Sequence, residues 1–263
     1  LRATSRWHAG RSCLVTRTSG RASCTIVGML LPTLITTLAS LQAAMQAPAH
    51  STATESSAQA VPLVELTRAA HPLTEREARA LGVGAWVQDA GGVDLEGRTR
   101  SWRDGAGERG TVLVLMSLTC PLCQKLAPEV ARVEARARGV GFGFVHVALG
   151  GLDSADELRA HAQRLQLAGL VLRDERGALA EVLDARTTTE VFVVDARGTL
   201  RYRGALNDQY GLGFALDAPR HRYLDDALRA LIRGEEPAIT ATTSPGCVVE
   251  RSAMKTTHAA SQV

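Results

Sequence analysis

Apolar residues along the chain alternate between unbroken runs and helical spacings. The run at 111–118, TVLVLMSL, is continuous and rich in Val and Leu, which is typical of a strand buried on both faces. Residues 124–138 follow, with Leu126, Val130 and Val133 on one side of a predicted helix and charged residues elsewhere. The pattern therefore predicts a buried strand that leads into an amphipathic helix.

The alternation of strands and helices continues along the chain. Further strands are predicted at 141–149, 170–172, 191–194 and 200–206, and further helices at 154–165, 178–183 and 223–232. Helices between strands require parallel neighbours in the sheet, whereas the tight turn between the last two strands adds an antiparallel edge. The predicted fold class is therefore α/β, a mixed central β-sheet flanked by helices on both faces.

Composition changes at both ends of this alternating region. Residues 48–81 begin as a small, polar linker and end in a short helix introduced by a capping-box spacing of Thr74 and Glu77. The tail at 235–263 is rich in Thr, Ser and Pro, and we expect it to be mobile. One domain is therefore predicted at 82–234.

Residues 1–47 form a separate segment with the pattern of a targeting signal. They carry five arginines and no acid, and their stretch 25–41, TIVGMLLPTLITTLASL, has no charge. Small residues follow and offer cleavage sites near Ala47, as in secretory signals. A retained membrane anchor is the alternative, although Pro32 interrupts the apolar run. We therefore expect a periplasmic or otherwise extracytoplasmic protein, which contacts a membrane only if this segment is retained.

The charge of the remaining chain points to no charged partner. Outside 1–47 the sequence has 25 Lys and Arg against 27 Asp and Glu, a net charge of −2. Aromatic residues make up only 4%, so a stacking surface for nucleic acid is not expected. Arg201 and Arg203 alternate along one predicted strand, and we interpret them as part of a solvated face.

Two cysteines, Cys120 and Cys123, follow the buried strand in the sequence Cys-Pro-Leu-Cys. Cys120 is expected at the start of the helix, where free N–H groups and the helix dipole lower the pKa of a thiol. Cys123 lies one turn further on, within reach for a disulfide. This placement predicts thiol redox chemistry, with Cys120 as the nucleophile and Cys123 as the resolving thiol.

The other cysteines leave several interpretations open. A structural zinc site needs four ligands at a recognisable spacing, which the sequence lacks, so no metal or other cofactor is expected. Delivery of copper by the dithiol is harder to exclude. Cys13 and Cys24 fall in the targeting segment, whereas Cys247 is a candidate third thiol that could resolve Cys120, pair between chains or stay free.

Three stretches resemble the redoxin branch of the thioredoxin-like superfamily, which includes TlpA/ResA-type thiol-disulfide oxidoreductases and AhpC/TSA peroxiredoxins. They read LEGRTRSW, TVLVLMSLTCPLCQKLAPEV and TTTEVFVVDARGTLRYRGALNDQYG. The resemblance implies a thioredoxin-like fold and exchange with protein thiols or disulfides through Cys120 and Cys123. It also places Thr119, Pro121 and Leu122 beside the dithiol, where they would tune it.

The sequence departs from the family pattern close to the dithiol. Thr119 stands where thioredoxins have Trp, and Thr189, preceded by Thr188, stands where they have a cis-proline. A cis bond without proline costs about 3 kcal/mol, so we expect a trans or a strained loop here. We hypothesise that Thr188 and Thr189 tune substrate binding, with Thr189 facing the sulfurs.

A peroxidase remains the second functional hypothesis. Peroxiredoxins carry Thr or Ser three residues before the reactive cysteine, and Ser117 meets this requirement for Cys120. They also carry a proline four residues earlier, where this chain has Leu113. We therefore rank an exported disulfide oxidoreductase first and an antioxidant enzyme that reduces small hydroperoxides second. A metal-binding or assembly module on a redoxin scaffold is the third hypothesis.

Overall fold

A computed structural model describes residues 69–249 of the chain, and every structural statement below concerns that range. The predicted targeting segment, with Cys13 and Cys24, lies outside the described residues. The helices and strands, in chain order, are α1 (Glu75–Ala80), β1 (Gly91–Asp94), β2 (Thr99–Ser101), a 3-10 helix (Trp102–Gly105), β3 (Gly110–Met116), α2 (Pro121–Gly139), β4 (Phe142–Leu149), α3 (Ala155–Leu165), β5 (Leu170–Asp174), α4 (Ala178–Val182), β6 (Val191–Asp195), β7 (Leu200–Gly204), β8 (Tyr210–Gly211), β9 (Phe214–Ala215) and α5 (Tyr223–Ile232).

Seven of the strands form one mixed sheet in the order β2-β1-β5-β4-β3-β6-β7. Strands β3, β4 and β5 run parallel to one another, and the pairs on either side of them are antiparallel. Every residue of β3 and β4 is buried. The predicted mixed sheet, with its parallel centre and antiparallel final hairpin, is confirmed.

Side chains of β3 alternate between two hydrophobic layers. Val112 and Val114 pack in the layer that contains the buried sides of α2 and α5. Leu113 and Leu115 pack in the opposite layer, with Leu179 of α4. Because successive side chains of a strand point to opposite faces of the sheet, an unbroken apolar run is required here.

The junction of β3 and α2 positions the candidate dithiol. Cys120 is the N-cap residue of α2, and Pro121 occupies the first helical turn, where its missing N–H leaves no bond unmade. Leu126 and Val133 bury one side of the helix against the sheet. The start of α2 is therefore fixed to the end of the central strand.

The tail that begins at Glu235 was expected to be mobile. Its described part, up to residue 249, is instead packed against the domain. The amide of Leu73 donates to the carbonyl of Ala241, and the amide of Thr243 donates to the carbonyl of His71, both across 2.9 Å. The small polar side chains of this tail indicated mobility, but in the structure they are buried and form hydrogen bonds with main-chain groups. The segment before α1 and the segment after α5 thus pair with each other.

The interpretation of Arg201 and Arg203 as one solvated face is wrong for Arg203. Its side chain is 1% exposed, and its guanidinium donates to Glu190 Oε1 through Nε at 3.0 Å and Nη2 at 2.6 Å. The remaining N–H groups donate to main-chain carbonyls of Leu81, Leu183 and Asp184. These chain segments cover this face of β7. The pattern of residues along one strand does not reveal that distant segments will cover it.

Two local predictions can be compared with the structure directly. The capping box of Thr74 and Glu77 is confirmed, with both reciprocal hydrogen bonds present at the start of α1. Between β7 and α5, where the sequence pattern predicts neither a strand nor a helix, the chain forms the short hairpin of β8 and β9. Within residues 69–249, no helix combines the length and apolar character needed to cross a membrane.

Candidate thiol redox site

Three cysteines from two distant parts of the chain meet at the N-terminus of α2. Cys120 and Cys123 belong to the helix start, and Cys247 arrives on the C-terminal segment with its sulfur 3.2 Å from that of Cys120. All three are free thiols. Cys120 is only 2% exposed, Cys123 is half-buried and Cys247 is exposed. The structure thus brings the candidate third thiol into contact with the dithiol.

Thr188 contacts all three cysteines. Its hydroxyl donates to Cys120 Sγ at 3.2 Å, and its carbonyl accepts a hydrogen bond from Cys123 Sγ at 3.1 Å. The hydroxyl also accepts from the Cys247 amide at 3.2 Å, while the Thr188 amide donates to the Cys247 carbonyl at 2.9 Å. One residue therefore fixes the relative positions of the three sulfurs.

The surroundings of Cys120 favour its thiolate. The hydrogen bond from Cys123 is the largest influence, and it outweighs burial, which acts in the opposite direction. Hydrogen bonds from the Thr188 hydroxyl, the Cys123 amide and Cys247 add to it, and the pKa of Cys120 falls to about 4. Free N–H groups at a helix start stabilise a thiolate in the same way. Cys120 is therefore ionised at neutral pH.

The other two thiols are held in their protonated form. The hydrogen bond to Cys120, together with burial and the nearby negative charge, raises the pKa of Cys123. Burial and the same thiolate raise the pKa of Cys247. The site thus combines one thiolate with two protonated thiols beside it.

Thr189 does not contact the sulfurs through its hydroxyl. That hydroxyl instead bonds to Ser244 Oγ at 2.9 Å and to the carbonyl of Pro245. No peptide bond within residues 69–249 is cis, so the trans alternative holds at this loop. Thr188 and Thr189 lie in a turn before β6, and the residue of this turn that faces the dithiol is Thr188. Thr189 and Cys123 both line an apolar cavity of about 40 Å³.

The remaining predicted tuning residues surround the start of α2. Thr119 is exposed and its hydroxyl lies 2.9 Å from Ser117 Oγ; Pro121 is exposed and Leu122 is half-buried. Asp153 is not among the predicted site residues, and its buried carboxylate accepts a hydrogen bond from the Leu118 amide at 2.8 Å. This bond holds the turn before Cys120, and nothing in the sequence spacing indicated it.

A buried pair of polar side chains, which the sequence pattern did not indicate, lies between α2 and the sheet. His146 Nε2 is 2.9 Å from Glu134 Oε2, and both side chains are at most 3% exposed. Burial opposes ionisation of Glu134, but bonds from His146 and from the amides of Ala168 and Gly169 hold its pKa below its usual range. The pair joins α2 to β4 and to the start of β5. Of the described residues, no group of three or more His, Cys, Asp or Glu is arranged to hold a metal ion.

One known protein family matches the part of the chain that contains β3 and α2. Residues 83–203 match the sequence model of the AhpC/TSA family. The fold of the described residues is thioredoxin-like, and residues 83–203, called the redoxin domain below, are similar to the redoxin branch of that superfamily. The matched range ends at Arg203, so the C-terminal segment that delivers Cys247 to the redoxin domain lies beyond it.

Solved structures support the fold of this redoxin domain. An uncharacterized conserved protein from Geobacillus kaustophilus is 22% identical, with a TM-score of 0.57 over 64% of this chain and 91% of its own. A hypothetical protein from Sinorhizobium meliloti is 17% identical, with a TM-score of 0.60 over 71% and 99%. A secreted disulfide oxidoreductase from Mycobacterium tuberculosis is 17% identical over 55% of this chain and 95% of its own, with a TM-score of only 0.39. No curated protein matches the sequence.

Proposed function

We propose that this redoxin domain is a thiol-disulfide oxidoreductase that exchanges disulfides with protein thiols. The observation that carries the proposal is the position of Cys120 at the N-cap of α2, where the Thr188 hydroxyl donates to its sulfur at 3.2 Å and Cys123 lies one helical turn away. A thiolate is the species that attacks a disulfide, and a second thiol one helical turn away can release the product.

In the proposed reaction, the Cys120 thiolate attacks one sulfur of a substrate disulfide. A mixed disulfide forms at Cys120, and one substrate sulfur leaves as a thiolate that takes up a proton. A second thiol of the protein then attacks Cys120, which releases the other substrate sulfur and leaves an oxidised protein. Two electrons pass to the substrate. Because Cys120 is 2% exposed, the exposed Cys247 side chain has to turn aside for the attack.

Catalysed reduction of insulin disulfides by dithiothreitol tests this function. We expect the intact chain to accelerate the reaction and Cys120→Ser to return it to the uncatalysed rate. A variant with Cys13→Ser and Cys24→Ser is the control and should behave like the parent. Catalysis that survives in Cys120→Ser would show that the dithiol is not responsible.

Reduction of small hydroperoxides is the second candidate, favoured by the match of residues 83–203 to the AhpC/TSA family. The site supports it less well, because the Ser117 hydroxyl bonds to Thr119 and Leu113 replaces the family's proline. The two functions predict different products at Cys120. A sulfenic acid trapped at Cys120, with rapid peroxide consumption, would favour the peroxidase.

The pattern of residues 1–47 supports a location outside the cytoplasm for this chemistry. The proposed signal would be cleaved near Ala47, and disulfide exchange would occur in an oxidising compartment. N-terminal sequencing of protein purified from its native host tests the proposal. A mature chain that begins close to residue 48 is expected, whereas an intact N-terminus on cytosolic protein would overturn it.

A further inference from the structure

We propose that Cys247 is a third redox cysteine, which forms an intramolecular disulfide with Cys120 in alternation with the Cys120–Cys123 disulfide. The inference rests on the proposed disulfide exchange and adds to it a second resolving thiol. Its basis is the contact of 3.2 Å between the sulfurs of Cys247 and Cys120. A disulfide bond is about 2.0 Å long, so the two sulfurs need to approach by only about 1 Å.

The position of Cys247 is fixed by main-chain hydrogen bonds of the cysteine itself and of the residues that follow it. Two hydrogen bonds with Thr188 fix its amide and carbonyl. Val248 forms a bridge with Thr187, and the Val249 amide donates to the carbonyl of Arg186 at 2.9 Å. The side chain of Val249 is itself buried in the hydrophobic layer that contains α4. The segment is thus anchored beyond the cysteine, and the sulfur is held at the site.

Exposure distinguishes the two partners of Cys120. Cys123 is half-buried, and its thiol donates to the Thr188 carbonyl, so a proton leaves it with difficulty. Cys247 is exposed and can pass its proton to water. Both thiols lie next to Cys120, but Cys247 is the exposed one, so we expect a substrate disulfide to approach from its side. Cys247 is therefore placed to intercept a mixed disulfide before Cys123 does.

The proposed sequence of bonds is balanced without any further reactant. In a mixed disulfide at Cys120, the Cys247 sulfur loses its proton to water and attacks Cys120 Sγ. The bond between Cys120 and the substrate sulfur breaks, and that sulfur leaves as a thiolate. Cys123 can then attack Cys120 in turn, which moves the disulfide inward and frees Cys247 as a thiol. The protein loses two electrons in total, and the substrate disulfide gains them.

Limiting amounts of dithionitrobenzoate, an aromatic disulfide that releases a coloured thiolate, test the inference. All variants carry Cys13→Ser and Cys24→Ser in the full chain. With Cys123→Ser, we expect complete release of both coloured thiolates, no adduct by mass, and a digest in which Cys120 and Cys247 are linked. The matched control, Cys123→Ser with Cys247→Ser, should release one thiolate and retain the other as an adduct.

The outcomes separate this inference from the proposed function. If Cys123→Ser retains the adduct like the double variant, or if its linkage joins two molecules, Cys247 does not resolve Cys120. Cys247→Ser keeps only the Cys120–Cys123 pair, so an adduct that persists there counts against the dithiol function instead. The unsubstituted chain, partly oxidised, should yield both linkages in its digest. A digest with only the Cys120–Cys123 linkage would overturn the alternation even if the variants fold poorly.

Discussion

The hydroxyl of Thr188 donates a hydrogen bond to the sulfur of Cys120 across 3.2 Å, although 68 residues separate the two in the chain. The same oxygen accepts a hydrogen bond from the Cys247 amide. A change at Thr188 therefore acts on the thiolate and on the third thiol together. The loop before β6 thus affects both the charge and the contacts of the Cys120 sulfur.

Thr188→Val should raise the pKa of Cys120 above its value of about 4. The lost hydroxyl stabilises the thiolate, and we expect a shift of about one unit. The rate of Cys120 alkylation against pH, followed by peptide mapping, measures it. Thr188→Ser retains the hydroxyl and should restore the parent profile. An unchanged profile in Thr188→Val would mean that this bond does not stabilise the thiolate.

Thr189→Val should loosen the segment that carries Cys247 while the start of α2 stays protected. The variant loses the hydrogen bonds to Ser244 and Pro245, at a cost of about 1 kcal/mol. Hydrogen exchange of the amides at 244–249 measures the effect. Thr187→Val is the matched control, because the Thr187 hydroxyl is buried without a hydrogen-bond partner among the described residues. Equal exchange in both variants would contradict the role given to Thr189.

Arg203→Met should lower the free energy of unfolding by about 3–5 kcal/mol, since it leaves the Glu190 carboxylate buried without its charged partner. Denaturant titration of the reduced protein measures the change. Arg201→Met, two residues earlier on β7, should cost only about 0–1 kcal/mol because Arg201 pairs with the exposed Glu236. Similar losses in both variants would argue against the difference in burial.

Glu134→Gln should destabilise the protein at neutral pH by about 1–3 kcal/mol, since it weakens the buried bond to His146. The folded-state pKa of Glu134 lies below its ordinary value of 4.5, so this stabilisation is present above pH 4.5. It is lost as the pH falls through the folded-state pKa. The difference between parent and variant should therefore shrink in acid, as measured by unfolding at a series of pH values. A deficit that grows in acid would reverse the assignment.

Local sequence patterns were sufficient to predict the strands β3 to β7 and the position of the dithiol. The apolar run of β3 and the Cys120–Cys123 spacing are short-range signals, and the structure places both at the junction of β3 and α2. The choice between Thr188 and Thr189 depends on how the loop turns before β6, which no periodicity encodes. The burial of Arg203 likewise depends on segments distant in the chain that cover β7. Long-range packing therefore determines which threonine faces the dithiol and whether Arg203 is buried, and local sequence patterns do not predict either.

The segment that delivers Cys247 also bears on association between molecules. β7 is the last strand of the sheet, and the amide and carbonyl of Arg203 on its open side bond to Thr240 and Thr242 at 3.1 Å. A chain cut after Gly234 would present these groups to solvent, and an unpaired sheet edge recruits strands from other molecules. Truncation would thus remove the third thiol and promote aggregation at once. Only a substitution at Cys247 itself can separate loss of the sulfur from loss of colloidal stability.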